Sequence, residues 1–224
     1  MWRLRVYGIA IAHDRRQGAL LALGAAGPVV FVAGYLVNGA RQPGYSSWHH
    51  TISTLSLARH GWVQDANFVL YGTSTLCFVE GLRRSDAGNA SGFGMLGIAG
   101  LGLIVVGGFR SDPILGFPVD EPAVETTRGT VHNIASLIVF LAFPGAVLVT
   151  TGRPFRRWEA LSIVSGVLSF TSIAAFSATV AAADVSDGGN SPAGLFERLP
   201  TLFIGLWQVA FVVRVLSGRP AIRR

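Results

Sequence analysis

The sequence predicts an all-α fold, a polytopic integral membrane helix bundle with six transmembrane helices. Hydrophobic residues make up 50% of the 224 residues, and charged residues make up only 13%. A soluble domain carries about 25% charged residues, so this much apolar surface exceeds what one aqueous fold buries. The apolar stretches are continuous, whereas the strands of a transmembrane barrel alternate apolar and polar residues. Helices are therefore predicted.

Each of the six apolar stretches approaches the roughly 20 residues that a helix needs to cross a hydrocarbon core. In chain order, the predicted spans cover residues 18–37, 65–82, 92–109, 131–150, 159–182 and 199–216. The connections between them are too short for a soluble domain. We therefore expect a single transmembrane domain over residues 1–224.

The distribution of arginine predicts the orientation of the helices. Most of the 18 basic residues precede the first span, follow the second and fourth spans, or end the chain. The other connections hold Arg41, Arg59, Arg110, Arg128 and Arg198. Cytoplasmic loops carry the excess of Lys and Arg, so both termini are expected in the cytoplasm. The net charge of +6 then reflects topology and contact with anionic membrane lipids, and not nucleic-acid binding.

The connections on the opposite side are expected to form a small extracytoplasmic cap of loops and a short helix. They cover residues 38–64, 110–130 and 183–198. The first contains apolar residues among polar ones: Trp48, Ile52, Leu55, Leu57, Trp62 and Val63. This pattern predicts a short amphipathic helix in the membrane interface, with Trp at the level of the lipid headgroups. Three prolines in the second connection exclude a regular helix and predict turns.

Three segments, in order along the chain, carry a family pattern. They are HHTISTLSLARHGWVQDANFVLYG, then FRSDPILGFPVDEP followed by the His132 of GTVHNIAS, and finally GLFERL. Together they resemble the DUF998 family of bacterial membrane proteins. The resemblance covers nearly the whole chain and implies a six-helix bundle in the bacterial cytoplasmic membrane. It implies no established activity.

Asp112 and His132 are the main candidates for a catalytic or metal-binding site. They end the third span and begin the fourth, and consecutive spans are usually neighbours, so we expect the two to meet. A carboxylate that holds an imidazole can orient a metal ligand or a general base. Ser53 or Thr51 would then be the nucleophile, or a metal would bind between Asp112, His132 and one of His49 and His50. The alternative is structural: Asp112 clamps the proline-rich loop, and His132 satisfies backbone groups at a helix start.

A cleft under the cap is the predicted ligand site. Its candidate residues are aromatic or charged: Trp48, Trp62, Asp112, His132 and Arg198. Arg198 would either capture an anionic headgroup or join two loops as a clasp. The first functional hypothesis is the binding, sensing or moving of a lipid or small amphiphile at the outer leaflet.

Two other functions stay open. One is a membrane-embedded hydrolase or transferase that uses His132 and Asp112, with or without a divalent metal. The other is a structural subunit that binds a protein partner. The sequence identifies neither a cofactor nor that partner, and it leaves the oligomeric state open.

Overall fold

The computed structural model describes residues 2–85, 87–122, 124–150, 156–183 and 191–217. These residues form six α-helices and one 3-10 helix, and they contain no β-strand. The elements are α1 (Trp2–Ala40), η1 (Ser53–Leu57), α2 (Trp62–Arg84), α3 (Ala90–Gly108), α4 (Thr127–Val149), α5 (Arg156–Ala182) and α6 (Ala193–Leu216). Each predicted span overlaps one α-helix, so the prediction of an all-helical fold is confirmed.

Five segments are long and apolar enough to cross a membrane. They are Arg15–Ala40, Ala90–Gly108, Thr127–Val149, Glu159–Ala182 and Ala193–Leu216. Helix α2 is not one of them, because Gln64, Asp65, Asn67 and Glu80 lower its hydropathy. The chain therefore has the helices of a multi-pass membrane protein.

The helices close a bundle around an aromatic core. Helices α1 to α4 pack in chain order, α5 packs on α6, and α6 returns to α1. In the centre, the ring of Tyr71 stacks between those of Phe31 and Phe143, with centroids 4.9 and 5.7 Å away. Deeper in the same core, Trp207 is fully buried and meets the edge of Phe78 at 6.1 Å.

Small and amide-bearing residues allow the helices to approach closely. A Cβ added to Gly72 of α2 would lie 2.5 Å from the carbonyl oxygen of Gly100 on α3. The Asn67 amide donates to the Phe31 carbonyl of α1 at 3.0 Å. Close approach and interhelical hydrogen bonds drive helix association in lipid, and here they hold the polar helix α2 between α1 and α3.

The connection between α1 and α2 differs from its prediction. Its helix is the five-residue 3-10 element η1, and no amphipathic surface helix forms in residues 41–61. Ile52 and Leu55 are buried in the core, whereas Trp48 and Trp62 are 53% and 65% exposed. The apolar residues are thus divided between the core and the surface, so they do not share one helix face. The expectation of an amphipathic helix was wrong for this reason.

Candidate functional site

A hydrogen-bonded cluster, here called the clasp, joins the α1–α2 connection to the start of α6. It comprises Tyr45, His49, His50, Gly194 and Arg198. The buried Arg198 guanidinium donates from Nη1 to the carbonyl oxygens of His50 at 3.0 Å and Gly194 at 2.6 Å, and from Nη2 to the Tyr45 hydroxyl. That hydroxyl donates in turn to the Thr51 carbonyl at 2.9 Å.

Both histidines of the clasp bond to the backbone. The Nδ1 atom of His49 lies 3.1 Å from the Ser191 carbonyl oxygen, which can only accept. The Nδ1 atom of His50 accepts from the Ser46 N–H at 2.9 Å. Burial, followed by the neighbouring His49, lowers the pKa of His50 to about 4. Burial likewise raises the pKa of Tyr45 above its usual value. The clasp is therefore held together mainly by backbone carbonyls and a phenol.

Asp112 fixes the loop between α3 and α4. Its Oδ2 accepts from the Thr126 N–H at 2.9 Å and its Oδ1 accepts from the Thr126 hydroxyl at 2.6 Å. The same threonine caps α4 by accepting from the Gly129 N–H at 3.0 Å. Both carboxylate oxygens thus support a helix start, as the structural alternative for Asp112 predicts.

His132 lies in the first turns of α4 and is 2% exposed. Its Nδ1 atom lies 2.7 Å from the Phe109 carbonyl oxygen and 3.2 Å from that of Val106. Because both oxygens only accept, Nδ1 carries the proton, and the neutral ring keeps its lone pair on Nε2. His132 is therefore oriented by the end of α3, and Asp112 makes its hydrogen bonds with Thr126.

The residues predicted to share a metal do not come together. Within the described ranges, no group of three His, Cys, Asp or Glu side chains is arranged to hold a metal ion. The rings of His49 and His50 lie 4.9 Å apart, but both belong to the clasp. Asp112 and His132 lie instead on the wall of a cavity.

That cavity, here called the polar chamber, has a volume of about 470 Å³. The chain brings polar side chains to it from four elements. They include Thr51 and Ser53, Ser111 and Asp112, His132, Asn133 and Ser136, and Glu197. This volume lies within the roughly 300–1,000 Å³ of ligand pockets.

A narrower cavity of about 60 Å³, here called the apolar chamber, extends into the aromatic core. Phe31, Tyr71 and Phe143 contribute to its walls. Five residues line both chambers: Ser53, His132, Ser136, Phe140 and Glu197. These side chains therefore form the boundary between the two spaces, so that a polar compartment lies next to an apolar one.

Each chamber contains a buried hydroxyl without a hydrogen-bond partner among the described residues. They are the Ser111 hydroxyl in the polar chamber and the Tyr71 hydroxyl in the apolar chamber. Ser111 is 6% exposed and Tyr71 is 3% exposed. An unsatisfied buried hydroxyl costs about 1–3 kcal/mol, so a bound molecule that paired with these groups would recover that free energy.

The sequence-predicted site residues fall into two groups. Ser53, Asp112 and His132 line the polar chamber. Trp48 and Trp62 are exposed, and Arg198 is bound in the clasp. The predicted cleft is therefore replaced by a cavity that only part of the expected set lines.

Several lining residues were not predicted from the sequence, among them Ser136, Tyr71 and Ser111. Ser136 lies four residues after His132, so helical periodicity places both on one face of α4, and this spacing was a usable signal. Tyr71 lies four residues after Asn67 on the buried face of α2. Ser111 had no signal, since a lone serine after a helix is common in loops.

Comparison with known proteins gives a family and no relative of known activity. The family model described as "Protein of unknown function (DUF998)" matches residues 25–214. No curated protein and no solved structure matches the chain. The matched segment extends from α1 to α6 and contains both chambers and the clasp. The chain therefore belongs to the DUF998 family.

Proposed function

We propose that this protein binds a small amphiphile, or a lipid, in its two chambers. The observation that carries the proposal is the junction of the two chambers at shared side chains, which include Ser53, His132 and Ser136. A polar group would occupy the larger space and an apolar end would face the aromatic rings. Ligand pockets combine apolar walls with a few placed polar groups in this way.

Together, the two chambers are lined by residues from all six helices. This arrangement favours a ligand whose binding changes how the helices pack. The apolar wall includes Phe31 of α1, Leu103 of α3 and Ile173 of α5. A molecule held there contacts helices that are far apart in the chain. Ligands shift the population of states that they bind differently, so sensing or moving the amphiphile follows naturally from binding it.

We place the polar chamber at the outer leaflet of a bacterial cytoplasmic membrane, with α2 as a sixth span. Support for the span comes from burial: Gln64, Asn67 and Thr75 face neighbouring helices, while Leu70 is exposed. Polar residues within spans face the bundle interior. The arginine-rich connections support cytoplasmic termini. Cysteine accessibility at both ends of α2 would test this topology.

Native mass spectrometry of the protein released in mild detergent tests the binding proposal. We expect the wild type to retain an amphiphile, and Ser136→Leu to lose it because the larger side chain fills the junction of the chambers. Ser177→Leu is the matched control. Ser177 is exposed on α5 and bonds only to the Ile173 carbonyl of its own helix, so this variant should retain the amphiphile.

Two results would contradict binding in the chambers. One is equal retention by wild type and Ser136→Leu while both stay folded. The other is a wild type that carries nothing on release and takes up none of the lipids extracted from its own membrane.

A second candidate function is hydrolysis or acyl transfer. The observation that favours it is the orientation of His132, whose Nε2 lone pair is available as a base in a chamber that Ser53 also lines. A base that activates a serine hydroxyl is the usual arrangement for acyl transfer. A fluorophosphonate probe should then label the wild type and spare both Ser53→Ala and His132→Gln. Equal labelling of all three would exclude this function.

A further inference from the structure

The charges around the polar chamber point to the chemistry of the ligand's polar group. The charged side chains among its described lining residues are all acidic: Asp112, Glu125 and Glu197. Beside them, His132 offers a lone pair on Nε2 in its neutral form, because its Nδ1 proton bonds to the Phe109 carbonyl. The charged groups and His132 therefore present acceptors to whatever occupies the chamber, beside the Asn133 amide and hydroxyls, which can also donate.

Two arginines near the chamber are engaged elsewhere. Arg198 follows Glu197 directly in the chain, but its guanidinium donates to the His50 and Gly194 carbonyls in the clasp. Arg110 pairs with Asp65 at 2.7 Å. Neither residue lines the chamber, so neither guanidinium can bond directly to a phosphate or carboxylate held there.

Glu197 is the most buried acidic residue of the chamber wall. It is 7% exposed and lines both chambers. Its Oε2 accepts from the Ile52 N–H. A buried carboxylate is favourable only when it is paired and fully hydrogen-bonded. One backbone N–H leaves capacity for a cationic donor.

Two further features at the chamber suit a cation that carries N–H groups. The Ser111 hydroxyl is 6% exposed, lines the chamber and has no partner in the described part of the chain. The rings of Phe140 and Phe176, 6.0 Å apart at their centroids, also line it. Aromatic faces attract ammonium groups. A cavity, an unpaired buried hydroxyl and aromatic faces therefore accompany the acidic residues.

We propose that the polar chamber binds a protonated amine that carries an apolar tail, and that it selects against phosphate and carboxylate heads. This inference rests on the proposed function, since it names the class of amphiphile that the chambers take. The ammonium would lie between Glu197 and the chamber's other acceptors, with its tail in the apolar chamber. It reverses the sequence-based expectation that Arg198 captures an anionic headgroup.

Three amphiphiles of equal tail length test the choice of head. The full-length protein in nanodiscs of neutral phosphatidylcholine would be titrated calorimetrically with octylamine, octanol and octanoate, with empty nanodiscs subtracted. At pH 7 the amine is protonated and the acid ionised. We expect octylamine to bind about tenfold or more tightly than octanol, and octanoate to bind more weakly than both.

Glu197→Gln is the variant that isolates the charge. Its side-chain oxygen can still accept from the Ile52 N–H, so the loop contact is kept. We expect octylamine binding to weaken about tenfold and octanol binding to change little. Glu125→Gln is a second variant at an exposed position and should weaken octylamine in the same direction. Glu80→Gln is the control, because Glu80 pairs with Arg84 far along α2 and away from the chambers.

The outcomes separate this inference from the binding proposal. Octanoate binding as tightly as octylamine, or octylamine binding that is unchanged in both Glu197→Gln and Glu125→Gln, would overturn the amine assignment. Amphiphile retention in native mass spectrometry would then leave the proposed function standing. Failure of all three probes, together with a wild type that carries no amphiphile, would overturn both.

Discussion

The clasp and the polar chamber contrast two uses of polar residues that are neighbours in the sequence. Arg198 belongs to the clasp and Glu197 lines the chamber, although they are consecutive. In the clasp, Nη1 and Nη2 of Arg198 both donate to protein oxygens, and its Nε has no partner among the described residues. In the chamber, the Ser111 hydroxyl has no partner among the described residues.

The difference arises because consecutive residues of a helix project about 100° apart. In the second turn of α6, Arg198 bonds to the α1–α2 connection, whereas Glu197 bonds to Ile52 of that connection and also lines the cavity. A polar group whose hydrogen bonds are completed within the chain serves stability. A buried one that is left open has spare capacity for a ligand. The following changes test that distinction.

Removing the guanidinium of the clasp should have the largest effect. We expect Arg198→Ala to lower the free energy of unfolding by about 3 kcal/mol, because it removes the hydrogen bonds to the His50 and Gly194 carbonyls and the Tyr45 hydroxyl, together with the cationic neighbour of Glu197. Urea unfolding in detergent would measure this. Arg110→Ala is the control: its exposed pair with Asp65 should contribute no more than about 1 kcal/mol. Equal losses in the two variants would show that the clasp contributes no more to stability than an exposed ion pair does.

Adding a methyl group at Gly194 of the clasp should give the second largest loss of stability. A Cβ on Gly194 would lie 2.4 Å from the His50 carbonyl oxygen and 2.8 Å from that of Ser47. Both are backbone atoms, so Gly194→Ala must shift the loop, and we expect a loss of about 2 kcal/mol.

The matched control for this substitution is Gly94→Ala on α3. A Cβ there meets nothing within 4 Å, and alanine favours a helix over glycine by about 1 kcal/mol. The control should therefore melt at the same or a higher temperature. A Gly194→Ala protein that melts like the wild type would contradict the tight packing of the clasp.

These contrasts also explain what the sequence could predict. The helices were predictable because continuous apolar runs have few alternatives in lipid. A lone amide on such a run favours a hydrogen bond to a neighbouring helix, and Asn67 donates to the Phe31 carbonyl of α1. The structural alternative for Asp112 agrees with its two hydrogen bonds to Thr126.

The chambers were not predictable because they depend on distances between helices. Close approaches such as Gly72 to Gly100 set those distances, and they leave no mark in hydropathy. Contacts between loops are equally hard to predict. The rings of Phe117 and Tyr45 lie 5.2 Å apart, and this contact joins two connections that are far apart in the chain. From its charge, Arg198 was predicted either to capture an anionic headgroup or to join two loops, and in the structure its Nη1 and Nη2 donate within the clasp.

Acidification should lower the stability of the protein through the clasp, by less than the two substitutions there. His50 has a folded-state pKa of about 4 against about 6.5 unfolded, so the unfolded chain binds the proton first. The stabilising effect of neutral His50 is complete above pH about 6.5 and is lost as the pH falls towards 4.

The melting temperature of the wild type should therefore drop by a few degrees over this pH range. His50→Asn keeps an acceptor for the Ser46 N–H and should show a flatter profile. Identical slopes in the two proteins would mean that another group dominates the acid response.

The smallest change in the free energy of unfolding should come from a residue of the polar chamber. This change should be zero or stabilising, unlike the losses expected in the clasp. We expect Ser111→Ala to leave the ligand-free protein as stable as the wild type or slightly more so, because it removes a buried hydroxyl that no described residue satisfies.

Thr54→Ala is the matched control in η1. The Thr54 hydroxyl is equally buried but donates to the Thr51 carbonyl at 2.9 Å, so its loss should cost about 1 kcal/mol. Delipidated protein is the proper sample, since a bound amphiphile would satisfy Ser111 and give both variants a loss. A stability loss at Ser111 that persists without any ligand would mean that this hydroxyl is bonded within the fold, and the distinction between clasp and chamber would not hold there.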